Sequence, residues 1–169
     1  RTALTAVSHR ARRKLLAEIS AAGIILLENA QIAEVAADHV ALTDGRIIPS
    51  RFTVGAAGAR AYDWISKTGL DLTDGFISVG PTLQSSDAGV FAVGDCAHMV
   101  QSPRPKAGVF AVRQAPVLFD NLRSAMTGSR LRRFRPQSDY LKLVSLGRKA
   151  ALAERHGIPL SGAVMWAWK

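Results

Sequence analysis

The residues of this chain that could do chemistry begin with a break in an apolar run. In GVFAVGDCAHM, residues 89–99, four apolar positions lead into Gly94-Asp95, and Cys96, the one cysteine, follows. Spacing alone leaves two readings open. Either Asp95 sits at the carboxyl end of a buried strand, the edge where open α/β sheets bind ligands, or it N-caps a following helix. A lone cysteine excludes an intramolecular disulfide and a two-thiol redox pair, so redox chemistry within these residues needs a cofactor. Cys96 itself reads as a small buried apolar residue rather than a reactive thiol. His9, His39, His98 and His156 have no metal-ligand spacing with acidic or sulfur partners, so capping or solvent-facing roles are expected of them and no metal.

Charge is unevenly spread. The net charge is +9, yet residues 1–89 carry nine Lys and Arg against nine Asp and Glu, and residues 90–169 carry thirteen against four. A basic half could meet nucleic acid, an anionic membrane face or cofactor phosphates, or could simply be solvated. RLRRFR, residues 130–135, has a single Phe among its arginines and reads as a solvated linker, with no nucleic acid expected. No apolar run reaches the length of a membrane span and no signal-peptide core is present in the first residues, so a soluble, cytoplasmic protein is expected.

The elements that must position these residues follow from periodicity. Ser8 is an N-cap candidate; Ala11, Leu15, Leu16, Ile19 and Ala22 share a helix face, and Gly23 ends it. IILLE, residues 24–28, reads as a buried strand after that helix, the αβ half of a βαβ unit. Residues 31–54 alternate as three or four short strands with Asp44-Gly45 as the clearest hairpin signal, a small antiparallel meander attached to a parallel sheet. A second hairpin and a last buried parallel strand over 90–93 are expected in 73–93. Residues 106–127 are helix-forming, with Leu118, Leu122 and Met126 at i, i+4 spacing and Pro116 marking a kink or a meeting of two helices. The basic segment 128–140 is the best boundary candidate, and two strands around Gly147 precede a terminal segment with Trp166 and Trp168.

TLQSSDAGVFAVGDCA resembles the second flavin-binding motif of the two-dinucleotide-binding-domain flavoproteins, the pyridine nucleotide-disulfide oxidoreductase superfamily. Thr82, Gly94 and Asp95 match that motif. The resemblance implies that Asp95 accepts a hydrogen bond from a ribityl hydroxyl of FAD, and that Gly94 lets the backbone approach the cofactor. FTVGAAGARAYDW resembles the family's ATGARP segment, with Ala56, Gly58, Ala59 and Arg60 matching, Ala57 in place of Thr and Ala61 in place of Pro. PKAGVFAVRQAPVLFDNLRSAMTG falls where the family lays a helix N-terminus against the flavin ring, which implies that Lys106, Ala107 and Gly108 lie near the ring. Unpaired N–H groups and the positive end of a helix stabilise the negative charge of a reduced flavin. Arg113 is expected to be surface charge, and the direction of Gln114 stays open.

More narrowly, the chain resembles the type II NADH dehydrogenase-like domain fused to the amino side of some bacterial selenide, water dikinases. The resemblance implies an α/β fold: a partial Rossmann-type architecture with an antiparallel insert and a small β-rich interface region. It divides the chain into residues 1–80, the remainder of an NAD(P)H-binding domain; 81–129, the closing strand and helix of an FAD domain; and 130–169, a partial interface or dimerisation domain. No G-x-G-x-x-G turn occurs, so a carboxyl-terminal fragment is expected, with both pyrophosphate sites elsewhere in the parent. The implied function is hydride transfer from NAD(P)H to FAD and on to a small-molecule electron acceptor, with no catalytic side chain and with the fragment alone inactive. The implied partners are the amino-terminal part of the same protein, a fused dikinase domain and a second copy in a homodimer. Trp166 and Trp168 would then face the dimer or the inner membrane surface, or pack on the β-rich region. The alternative is a non-catalytic docking or assembly module.

Overall fold

The structure, a computed structural model, describes residues 2–168. The chain forms two compact units, one of residues 1–55 with 139–169 and one of residues 56–138. None of the described helices is long and apolar enough to cross a membrane.

In the first unit, helix α1 (His9–Ala21) starts as its sequence requires: Ser8 has extended backbone, and its hydroxyl accepts the Ala11 N–H at 3.3 Å. Ala11 and Leu15 are the residues α1 buries. Strands β1 (Ile32–Val35), β2 (His39–Leu42) and β3 (Ile47–Pro49) form the expected antiparallel meander, its second turn at Asp44-Gly45. Residues 24–28 are a correction. They form no strand, and Ile24, Ile25, Leu26 and Leu27 are exposed. An apolar run becomes a strand only when a neighbour satisfies its backbone. This one is held by its last side chain instead: Glu28 accepts the Ala3 N–H at 2.8 Å and pairs with Arg12 at 2.9 Å.

The carboxyl-terminal part of this unit is a three-stranded antiparallel sheet, β7 (Lys142–Gly147), β8 (Ala150–Arg155) and β9 (Ile158–Gly162), followed by α3 (Ala163–Ala167). The third strand and the short helix are absent from the sequence reading because Pro159 and a glycine turn mask the alternation. Leu152 of β8 packs with Ala11 and Leu15 of α1. Glu154 is 3% exposed, and its carboxylate accepts the Ser8 N–H at 3.1 Å while Lys142 stands 3.9 Å away.

The second unit is built around β4 (Leu72–Thr73), β5 (Phe76–Val79) and β6 (Ala97–Met99). β4 and β5 pair antiparallel across Asp74-Gly75, and β5 and β6 pair parallel with Ile77 opposite Ala97 and Val79 opposite Met99. The expected parallel strand at 90–93 is therefore displaced to 97–99. Residues 90–93 instead fold back on the preceding segment, with a single antiparallel bridge between Phe91 and Gln84 and the Ala92 N–H donating to the Leu83 carbonyl at 3.0 Å. The core comprises Ile65, Ile77, Val79, Leu83, Ala92, Ala97, Met99, Val117 and Phe134.

Helix α2 (Gly108–Thr127) runs unbroken through Pro116 and ends on Gly128 in the left-handed conformation. Its buried face is Phe110, Gln114, Val117 and Asn121. Leu118 packs against the core while Leu122 and Met126 are exposed, so the packed face is rotated away from the apolar stripe. Residues 130–135 are also not a freely solvated linker: Phe134 is buried, and its N–H donates to the Pro81 carbonyl at 2.8 Å.

Candidate functional site

The turn between residues 93 and 97 is one short 3-10 turn, Gly94–Cys96, inserted just before β6. Gly94 has φ +68°, which favours glycine, and a Cβ there would lie 3.2 Å from the Ala111 Cβ, a tight contact that a side chain could meet only if the neighbour shifts. Its N–H donates to the Gln114 side-chain oxygen at 2.8 Å. Gln114 is 4% exposed, so the amide that the sequence left undirected points inward and locks the turn to α2.

Asp95 follows with an exposed side chain that makes no hydrogen bond among the described residues. It caps no helix, since Ala107 occupies the N-cap position of α2 and no side chain caps that helix. The carboxylate is thus an acceptor without a donor beside a helix start with uncapped N–H groups, an arrangement suited to polar and anionic groups of a ligand. Cys96 corrects its expectation as well. Its side chain is exposed rather than packed, with Sγ 3.2 Å from the Val93 carbonyl.

Lys106 is half-buried. Its ammonium donates to the Ala97 carbonyl at 2.5 Å and lies 3.8 Å over the Phe76 ring. Burial pulls its pKa below the ordinary lysine value, while the charges of Asp95 and Cys96 resist the shift. Arg113 is exposed.

Gly94, Asp95, Lys106 and Ala107 line one cavity of about 20 Å³ together with Arg104 and Gln114. That space suits a water molecule, so any larger ligand here would lie on the open face. Thr82 and Gly108 do not line it. Thr82 donates its hydroxyl to the Gln84 side-chain oxygen at 3.1 Å, and its carbonyl accepts from the Asn121 amide at 2.7 Å. Its neighbour Leu83 is fully buried at φ +66°, a strained position for a branched side chain.

Two supporting residues escaped the sequence reading. Asn121 is fully buried, donates to the Thr82 and Arg132 carbonyls at 2.7 and 2.9 Å, and accepts the Arg132 N–H at 2.7 Å. Arg104 borders the small cavity from the loop before α2. A usable signal existed for Asn121 and Gln114: with Phe110 and Val117 they recur at i, i+4, i+7 and i+11, one face of a helix. Among the described residues, no group of three or more His, Cys, Asp or Glu could hold a metal ion.

Comparison with known proteins identifies the family and the fold. The family described as pyridine nucleotide-disulphide oxidoreductase matches residues 1–115. No curated protein sequence matches the chain. Among solved structures, a sulfide:quinone oxidoreductase from Aquifex aeolicus is similar with a TM-score of 0.74 at 14% identity, over 95% of this chain and 43% of its own. A ferredoxin reductase from Rhodopseudomonas palustris is similar with a TM-score of 0.64 at 19% identity, over 92% of this chain and 46% of that one. An NAD-dependent persulfide reductase from A. fulgidus has a TM-score of 0.66 at 19% identity, over 88% of this chain and 28% of its own. The likeness is one of fold, a partial α/β Rossmann-type flavoprotein architecture, and this chain spans less than half the length of each.

Proposed function

The chain belongs to the pyridine nucleotide-disulphide oxidoreductases, and from that premise we propose that it is the flavin-side part of an oxidoreductase that passes hydride from NAD(P)H to FAD and on to a small-molecule acceptor. The observation that carries this reading is the Gly94-Asp95 turn, locked by Gln114 and set beside the uncapped start of α2. Gly94 adopts a left-handed backbone and has no Cβ where the neighbouring helix would crowd one, and Asp95 has a free acceptor, so the residues present fit a flavin.

A bound flavin supplies the electron chemistry itself. This chain's residues bind and orient. The Asp95 carboxylate takes a hydroxyl of the ribityl chain, and Ala107 and Gly108 offer backbone N–H groups to the electron-rich edge of the ring system. Lys106 anchors the loop before α2 to the Ala97 carbonyl and adds positive potential there. Thr82 acts at one remove, through the Asn121 clamp. No side chain acts as nucleophile or general acid. In the whole protein, residues 81–129 close the FAD domain, and a dikinase fusion with a selenium species as acceptor is the narrower form of the proposal, supported by sequence resemblance alone.

The test uses the full-length protein that contains this chain. Bound flavin absorbance and NAD(P)H oxidation are expected, and Asp95→Ala should weaken FAD retention by roughly tenfold, the loss of one charge-assisted hydrogen bond. A full-length protein without flavin absorbance or NAD(P)H oxidation overturns the redox reading. The docking-module reading would then stand, consistent with the water-sized cavity at the turn.

A further inference from the structure

Two buried side-chain atoms among the described residues lack a hydrogen-bond partner, Arg104 Nε and Gln137 Nε2. Both are N–H donors, and a buried donor without an acceptor is a cost that a ligand can remove. Each lines a cavity, and Arg104 also borders the small cavity beside Asp95. Arg104 belongs to one of about 490 Å³ with Arg133 and Arg135, and Gln137 to one of about 380 Å³ with Arg113, Arg133 and Arg135. The two cavities share the walls formed by residues 133–135, and no carboxylate lines either.

The arginines are held out for this purpose. Phe134 is buried between Arg133 and Arg135, its N–H fixed to Pro81, and Arg132 is gripped on both backbone groups by Asn121. Arg132 also pairs with Asp120 at 2.7 Å. Arg104, Arg113, Arg133 and Arg135 have no ion pair among the described residues; Arg104 donates to the Ser102 hydroxyl at 2.9 Å. Guanidinium forks and an amide NH₂ presented together, without a carboxylate partner, complement a planar or tetrahedral oxyanion. Both clefts are open to solvent, and each has about the volume of a small molecule.

We propose that Arg104, Arg113, Arg133, Arg135 and Gln137 form a binding site for a small phosphate-bearing molecule, bordering the cavity beside Asp95 through Arg104 and Met99. The donors take the phosphate oxygens, and the apolar wall of Pro81, Met99 and Phe134 receives the less polar part of the ligand.

The test is calorimetric titration of the 169-residue chain with inorganic pyrophosphate at low salt, with citrate and a short deoxythymidine oligonucleotide as parallel arms. Saturable binding of one pyrophosphate per chain is expected, weakened about tenfold or more by the exposed pair Arg133→Gln and Arg135→Gln. Gln137→Glu, which replaces the free donor by a carboxylate, should weaken it similarly. The pair Arg10→Gln and Arg13→Gln, on α1 in the other unit, should leave it unchanged. Circular dichroism confirms that each variant is folded. No saturable binding by the folded chain, equal binding by all variants, or citrate binding as tight as pyrophosphate overturns the site. Binding of the oligonucleotide without pyrophosphate overturns it in favour of a nucleic-acid surface.

Discussion

The two compact units differ in the core they gather. Residues 56–138 bury one large apolar cluster, together with two polar side chains, Gln114 and Asn121, that hold loops against α2, although Trp64, Val112, Phe119 and Met126 stay exposed. Residues 1–55 with 139–169 gather Ala11, Leu15 and Leu152 into a small core, leave Ile25, Ile32, Val35, Ile47, Phe52 and Val54 exposed, and keep an apolar cavity of about 420 Å³ between α1 and β7. The difference lies less in composition than in whether loops are fastened. In the second unit each loop near the turn has a buried polar anchor, and the apolar residues behind it are covered. Residues 24–28 are fastened at the surface, by Glu28 pairing with Arg12 and accepting the Ala3 N–H and by the Ile24 N–H donating to Ile19, and exposed ion pairs contribute little.

If polar fastening makes the second unit the more stable, breaking it should reverse the order. Asn121→Ala removes three hydrogen bonds and strands buried partners, with an expected loss of about 3 kcal/mol. Limited proteolysis should then cut residues 80–135 at least as readily as 24–54; unchanged protection of 80–135 would show that the apolar core alone suffices. A smaller loss, about 1 to 2 kcal/mol, is expected from Gly94→Ala, since alanine meets both the left-handed backbone and the Ala111 Cβ. Equilibrium unfolding measures it, and an unchanged midpoint would mean that the turn yields freely.

The smallest effect is a pH dependence. Lys106 has a pKa lowered on folding, so between that lowered value and the ordinary value of 10.5 the unfolded chain binds more protons than the folded one. Stability must rise with pH across this window, and at neutral pH the burial cost of the ammonium is fully present. The stability of the native chain relative to Lys106→Met should therefore increase on going from neutral pH to about 10.5. A constant difference would place the ammonium in water rather than over Phe76.

Much of this was legible in the residues. Ser8 and its helix, both Asp-Gly hairpins and the Gly94 turn follow from local chemistry, because caps and tight turns are decided within a few residues. Residues 24–28 and 90–93 misled for one reason: both are apolar runs, and whether such a run is a strand depends on a neighbour that spacing cannot reveal. The stripe Leu118, Leu122 and Met126 misled differently. Hydrophobicity marked one face of α2, whereas the packed face carries Gln114 and Asn121, whose value lies in the hydrogen bonds they make. Cys96 was judged by the habits of its residue type, and the turn geometry turns it outward.

The parallel pairing of β5 with β6 carries a last consequence. The connection between these strands contains no helix, and its final step is the Gly94–Cys96 turn. The Asp95 carboxylate is therefore addressed by strand register: Ile77 opposite Ala97 sets its height along the sheet. A slip of one residue would exchange the inward Ala97 and Met99 for outward positions and carry the carboxylate away from α2, with every residue of the turn still intact. Changes in length tolerated at residues 85–89, in the loop that the Gln84–Phe91 bridge closes, would be fatal between 93 and 97.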